Sequence, residues 1–297
     1  MNYTAALRTD RMCKATTGLT VPEFMNLVED FTRNYDEYEA KRKKKRKRKL
    51  GGGRGSYIES TEEKLFYVLW YMKTYPTFDV ASFWVGFHRS NACEWVHTLL
   101  PILEQTMKRK FVLPQRKISD PEEFLRLFPE TKEVFIDGVE RLRQRPKKKK
   151  SATKTYSGKK KQHTRKSVVV TDKKKRVLVI TKQKSGRRHD KRLADKDNLF
   201  KQLPKDVTAM ADTGFQGSDK DHPNIFIPKK KPKGRELTYD EKETNKIISS
   251  YRVIVEHAIG GIKRYRCIAE RLRNRKPFID DTLLLLSAGL WNYHLAS

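Results

Sequence analysis

Cysteine is scarce in this chain. Only Cys13, Cys93 and Cys267 occur in 297 residues, and none stands in a Cys-x-x-Cys spacing. An odd, scattered set argues against a disulfide framework or a zinc site and fits a reducing compartment. Long apolar runs are also missing. The longest, Leu283–Trp291, has nine residues and follows Asp280 and Asp281. That is too short for a membrane span, which needs roughly 20, so an integral membrane protein is excluded. The opening MNYTAALRTD has no apolar stretch, and no signal peptide is expected. Hydrophobic residues make up 37%, below the usual share, yet enough for one or two modest cores. Acidic residues are outnumbered, with 36 Asp and Glu against 66 Lys and Arg, a formal net charge of +30. Such an excess points to a polyanionic partner, with nucleic acid foremost. A ribosomal protein, a nucleoid protein and a nucleic-acid enzyme all satisfy it. An acidic membrane surface fits less well, because the basic runs fall between strand-like segments rather than on an amphipathic helix.

Thr20 and Glu23 form a capping box, and Phe24, Leu27, Val28, Phe31, Tyr35 and Tyr38 recur at helical spacing. This predicts an amphipathic helix over 21–40, packed on its neighbour or on a second copy, within an N-terminal segment 1–40. Lys41–Lys49 is an unbroken basic run, followed by Gly51, Gly52, Gly53 and Gly55. Segment 41–55 therefore reads as a self-repelling linker, ordered only against phosphate, and as a nuclear localisation signal in a eukaryotic cell. Three short helices follow within a domain over 56–118. The first spans 61–73 behind a Ser60–Glu63 capping box, the second 77–85, and the third begins at a Ser90 cap after a Gly86 turn. Pro101 kinks or ends the third. This is a helix-turn-helix outline. Docked on DNA, the third helix would turn His88, Arg89, Ser90, Asn91 and Glu94 to the major groove; otherwise the bundle is an adaptor touching no base.

Beyond Pro129 the pattern becomes strand-rich, and a second domain is expected over 130–297. Val134–Ile136 ends in Asp137-Gly138, and Val139–Arg143 can resume the strand. A basic loop over 147–161 precedes two strands, Ser167–Thr171 and Arg176–Thr181, joined by a hairpin at Asp172–Lys175. A helix over 189–200, strands Val207–Ala211 and Ile225–Ile227, and a helix over 240–266 complete an α/β or α+β arrangement.

Two strands thus lead into a carboxylate beside glycine, Asp137 and Asp212. Carboxyl ends of neighbouring parallel strands line one crevice, and acids there need a cation, either Lys/Arg or a metal ion. On the long helix Arg252, Glu256 and Lys263 share a face. Gly260 and Gly261 interrupt that helix, which suggests close backbone approach to DNA or to the sheet. Taken singly, the Asp residues could cap turns and Glu256 could pair with Arg252. Together, three carboxylates from two strands and a helix suit a two-metal phosphoryl-transfer site, whose hard Mg²⁺ ions take oxygen ligands.

The segments VFIDGVERLRQRPKKKK, KTYSGKKKQHTRKSVVV, SGRRHDKRL, MADTGFQG and RVIVEHAIGGIKRYR occur in order. In these the chain resembles the DDE transposases of bacterial insertion sequences, in the group numbered five, related to Harbinger-type elements. The resemblance covers roughly 60–297. It implies an RNase H-like catalytic domain, a mixed sheet flanked by helices, preceded by an all-α helix-turn-helix domain. It implies Asp137, Asp212 and Glu256 as catalytic and metal-holding residues for two Mg²⁺ or Mn²⁺ ions. Arg252, Glu256 and Lys263 match the R-(3)-E-(6)-K spacing of the related signature, whose tyrosine falls at Ser249, with Tyr251 nearby. Arg252 and Lys263 would hold phosphates. Tyr156, Lys159, Lys160, Lys161 and His163 would form a second DNA-contacting loop, beside Arg89, Ser90 and Asn91 of the third helix. His189-Asp190 matches a recurrent pair of accessory character, or a plain helix cap. The implied partners are double-stranded DNA, as terminal inverted repeats and target, and further copies in a dimer or larger synaptic complex. The implied location is the bacterial cytoplasm at the nucleoid, or the nucleus in a eukaryote. Two other readings stand beside an active transposase: a transposase-derived DNA-binding protein without catalysis, which the intact acidic triple argues against, and a basic RNA-binding protein, which needs no such triple.

Overall fold

In a computed structural model of the chain, residues 2–44, 56–232 and 234–297 are described. The chain divides into two units, one of 1–113, 263–270 and 282–297, the other of 114–262 and 271–281. Residues 263–270 and 282–297, near the end of the chain, thus group with its N-terminal part.

The first unit opens with α1 (Tyr3–Ala6), α2 (Asp10–Thr17) and α3 (Val21–Lys44). The capping box ahead of α3 is reciprocal: Glu23 N donates to Thr20 Oγ1 at 3.2 Å and Thr20 N to Glu23 Oε2 at 2.6 Å. Residues 41–44 of the expected linker continue α3, while the rest of the basic run and its glycines lie outside the described residues. Next come α4 (Thr61–Thr74), α5 (Phe78–Val85) and α6 (Arg89–Arg109). Ser60 caps α4 by accepting from Glu63 N, and Thr77 caps α5 by accepting from Val80 N. Gly86 ends α5 at φ +81°, a left-handed stop that suits glycine. Two details of α6 differ from expectation. His88, not Ser90, is its cap, with the ring Nδ1 accepting from Ser90 N at 3.3 Å. Pro101 does not end the helix. It sits exposed between Leu100 and Ile102, both buried, so packing offsets one missing hydrogen bond. Every residue from Leu65 to Met72 on α4 is buried, and α2, α3 and α6 pack around it.

The second unit contains α7 (Pro121–Leu127), β1 (Glu133–Leu142), α8 (Lys149–Thr155), β2 (Tyr156–Ser157), β3 (Gln162–Thr171), β4 (Val177–Ile180) and β5 (Lys184–Ser185). After them come α9 (Asp190–Lys196), β6 (Thr208–Ala211), β7 (Ile225–Phe226) and α10 (Tyr239–Lys263). The sheet order is β2-β3-β1-β6-β7, with β4 and β5 also on β3. β1 pairs antiparallel with β3 and parallel with β6, and β6 is parallel to β7. The sheet is therefore mixed, flanked by helices, as an RNase H-like domain requires. Val134, Ile136, Val168, Val170, Ala209 and Ala211 bury one sheet face against Phe124, Leu193, Phe200 and Phe215.

Several boundaries move. β1 is one strand, because β3 pairs with it from Phe135 to Leu142; Asp137 is thus mid-strand rather than terminal. The basic loop contains α8 and β2. The helix expected over 189–200 stops at Lys196, with Asn198 at φ +52° breaking it. The long helix ends at Lys263, and a Cβ on Gly260 would meet nothing within 4 Å, so the sheet does not approach that glycine. Beyond it lie α11 (Arg266–Ala269) and α12 (Ile279–Ala296). Among the described residues no helix is long and apolar enough to cross a membrane, and Cys13 and Cys267 are buried.

Candidate active site

Strand alternation sends Val134 and Ile136 into the core and turns Phe135 and Asp137 to the other face. There α10 lies against the sheet, its Tyr251 ring stacked on Phe135 with centroids 6.3 Å apart. The parallel register pairs Ile136 with Ala211. Asp137 is the next residue of β1 and Asp212 the first residue past β6, and so they fall side by side.

Arg252, adjacent to Tyr251 on α10, carries its guanidinium between the acids. Nη2 lies 3.8 Å from Asp137 Oδ2, Nη1 lies 3.4 Å from Asp212 Oδ1, and Nη2 lies 3.4 Å from Glu256 Oε1. Three carboxylates distant in sequence thus share one cation. Burial pushes the Asp137 carboxyl above the usual carboxylate range, and Asp212 and Asp190 push the same way. The Gly138 amide, donating at 2.6 Å, and Arg252 oppose the shift. The Arg252 Nε is buried without a hydrogen-bond partner.

The donor set is all carboxylate oxygen, which suits a hard divalent ion. Among the described residues no three His, Cys, Asp or Glu side chains stand so that they could hold a metal ion as they are placed. The guanidinium spaces these acids around itself. The acids require a positive charge here and Arg252 provides it, while their carboxylate oxygens are of the donor type that a hard divalent ion takes.

Asp190, the first residue of α9, sits beside this centre. A Cβ on Gly138 would lie 3.0 Å from its Oδ1 and one on Gly214 3.0 Å from its Oδ2. Gly138, next to Asp137, and Gly214, two residues past Asp212, thus make room for a further carboxylate. Buried Lys166 pairs with Asp190 at 3.4 Å and reaches Glu140 at 4.0 Å. His189 occupies the cap position of α9, but its side chain makes no capping hydrogen bond.

A cleft of about 950 Å³ opens at Asp212, Asp190 and Gly214. Tyr156, Lys159, His163 and His189 line it, with Arg145, Lys149, Lys166, Arg187 and Arg188. The last five carry no separate signal in the sequence as contacts, although Arg187 and Arg188 lie in the SGRRHD segment. Lys160 and Lys161 are exposed but do not line the cleft, and Asp212 is the one member of the acidic triple that does. Tyr156 and His163 face each other across β2 and β3, with ring centroids 5.6 Å apart.

In the first unit, Arg89 and Ser90 are exposed on the first turn of α6 and Asn91 is half-buried. Arg89 is held by Asp79 of α5 at 3.3 Å. Lys263 is exposed at the end of α10 and belongs to this unit.

Residues 136–292 match the family model described as DDE superfamily endonuclease, and residues 60–109 match the helix-turn-helix of DDE superfamily endonuclease. The chain is 33% identical over 236 residues to a probable transposase for insertion sequence element IS702 from Microchaete diplosiphon, across 79% of this chain and 81% of that relative. No solved structure matches.

Proposed function

The chain belongs to the DDE superfamily of endonucleases, and on that premise we propose that it is a transposase of the insertion-sequence group numbered five, cleaving transposon-end DNA and transferring the freed strand to a target. Membership implies divalent-metal use, and the helix-turn-helix implies DNA binding.

Asp137, Asp212 and Glu256 act as the catalytic triad and would hold two Mg²⁺ or Mn²⁺ ions. Bound ions would favour ionisation of the attacking hydroxyl and offset charge on the leaving oxygen. Cleavage by water leaves a 3′-hydroxyl at the transposon end, and that hydroxyl attacks the target strand. Lys149, Lys159, Arg187 and Arg188 seat the phosphate backbone along the cleft. Tyr156 offers an exposed ring to the strand. Arg89, Ser90 and Asn91 on α6 read base edges, while Lys263 contributes phosphate affinity. Joining two ends calls for two or more copies acting together on double-stranded DNA, at the nucleoid of a bacterial cell.

One observation carries this reading: carboxylates from β1, from the residue just past β6 and from α10 meet at a single guanidinium at the rim of a basic cleft that Asp212 lines. The test is nicking of duplex DNA bearing the element's terminal repeats. Cleavage is expected with Mg²⁺ or Mn²⁺ and not with chelator. Full cleavage by Asp137→Asn would remove the proposal.

A further inference from the structure

We infer that Arg252 is a built-in cation that divalent ions must displace: it bridges the three carboxylates and passes to a DNA phosphate when ions enter. The inference rests on the metal-centre reading above and adds exchange with divalent ions to the phosphate-holding role that the family resemblance implies for Arg252.

The geometry is that of a shared rather than a locked ion pair. The three Arg252 contacts lie at 3.4–3.8 Å. A tight guanidinium–carboxylate bond is about 2.7–2.9 Å, and Arg116 reaches Asp281 in this same unit at 2.5 Å. The Nε of Arg252 makes no hydrogen bond although buried. A group held this loosely by several partners is cheap to move.

Charge gives the direction of movement. Three carboxylates with one guanidinium carry two net negative charges. Two divalent ions on the same carboxylates reverse that sign, so the guanidinium is then repelled from the place it occupies. The side chain is long, flexible and 24% exposed. Asp212, one of its partners, lines the basic cleft, so a phosphate seated there offers the displaced guanidinium a planar, bidentate partner. Metal and DNA thereby become coupled. Ions push Arg252 onto the phosphate, and a phosphate that takes Arg252 empties the carboxylates for ions. Such coupling is reciprocal in binding free energy.

The experiment is a Mn²⁺ titration by calorimetry on the full chain, without DNA, comparing wild type with R252Q, R252K and D137N. R252Q should bind Mn²⁺ about tenfold more tightly, the scale on which a neighbouring Arg competes for a carboxylate; R252K, which keeps the charge, should stay near wild type. A short duplex, corrected for its own Mn²⁺ uptake, should tighten binding to wild type and leave R252Q nearly unchanged. Mn²⁺ binding that D137N weakens but R252Q leaves equal or weaker overturns the displacement role while sparing the metal-centre reading. Wild-type binding indifferent to D137N defeats both. Should R252Q fail to fold, the wild-type titration with and without duplex decides, since unchanged affinity overturns the coupling.

Discussion

Asp137 and Asp212 follow Ile136 and Ala211, the last matched pair of two adjacent parallel strands, β1 and β6. Backbone register alone therefore sets the two carboxylates side by side. Glu256 joins them from α10, which the Tyr251–Phe135 stack seats on that face. If these three acids form the reacting centre, Asp137→Asn, Asp212→Asn and Glu256→Gln should each lower the rate of transposon-end cleavage by at least about 100-fold, the loss expected on removing a principal electrostatic group. DNA affinity in chelator should change little, which a gel-shift assay on the same duplex reads.

Asp137 also makes stability depend on pH. Burial raises its folded pKa above the unfolded value, which is about 3.9. The fold thus favours the neutral carboxyl. That contribution is fully present below the unfolded value and is lost as pH rises through the raised folded one. Without metal, wild type should lose stability relative to Asp137→Asn over this acidic window, and the variant should melt higher at neutral pH. Saturating Mn²⁺ should reverse the order. Thermal melts from acid to neutral pH check both, and a lower melt for metal-free Asp137→Asn at neutral pH would contradict the burial argument.

The cleft cations should behave as phosphate contacts. Lys159→Ala and Arg187→Ala should each reduce the slope of log affinity against log salt by about 0.9, one counterion per neutralised phosphate. Lys160→Ala, outside the cleft lining, should change it less. Fluorescence anisotropy over a salt series measures the slope. Equal effects at Lys159 and Lys160 would mean that overall charge, rather than this groove, binds the DNA.

Gly138 and Gly214 are small because Asp190 presses on both. Gly138→Ala places a methyl 3.0 Å from Asp190 Oδ1 and should cost about 1–3 kcal/mol, the usual penalty of overpacking. Asp190→Ala removes the obstruction. The double variant should therefore lose less stability than the two single losses summed, a coupling that denaturant unfolding resolves.

In the first unit, Pro101 withholds one hydrogen bond inside α6, where it is exposed. Pro101→Ala should raise stability by about 1–3 kcal/mol, reduced somewhat by the freer unfolded chain. Chemical denaturation gives the sign directly.

Local chemistry made much of this protein legible before any coordinates. Thr20 with Glu23, Ser60 with Glu63, and the Gly86 stop act within a turn of the chain, so α3, α4 and α5 could be read from residue spacing. The charge excess pointed to nucleic acid, and apolar segments running into Asp137 and Asp212 marked the two acids. The tertiary structure decided what depends on distant segments meeting. Pairing with β3 carried β1 straight through Asp137 instead of ending it there. Parallel register brought Asp137 level with Asp212. The Tyr251 stack put Arg252 among three acids, a placement that helical spacing, which pairs it only with Glu256, does not contain. Arg145, Lys149, Lys166, Arg187 and Arg188 became one cleft wall only when α8, β3 and the segment before α9 converged. Caps and periodicity are settled by neighbours a few residues apart; register and convergence are settled by which faces can be buried together, and no short stretch of sequence states that.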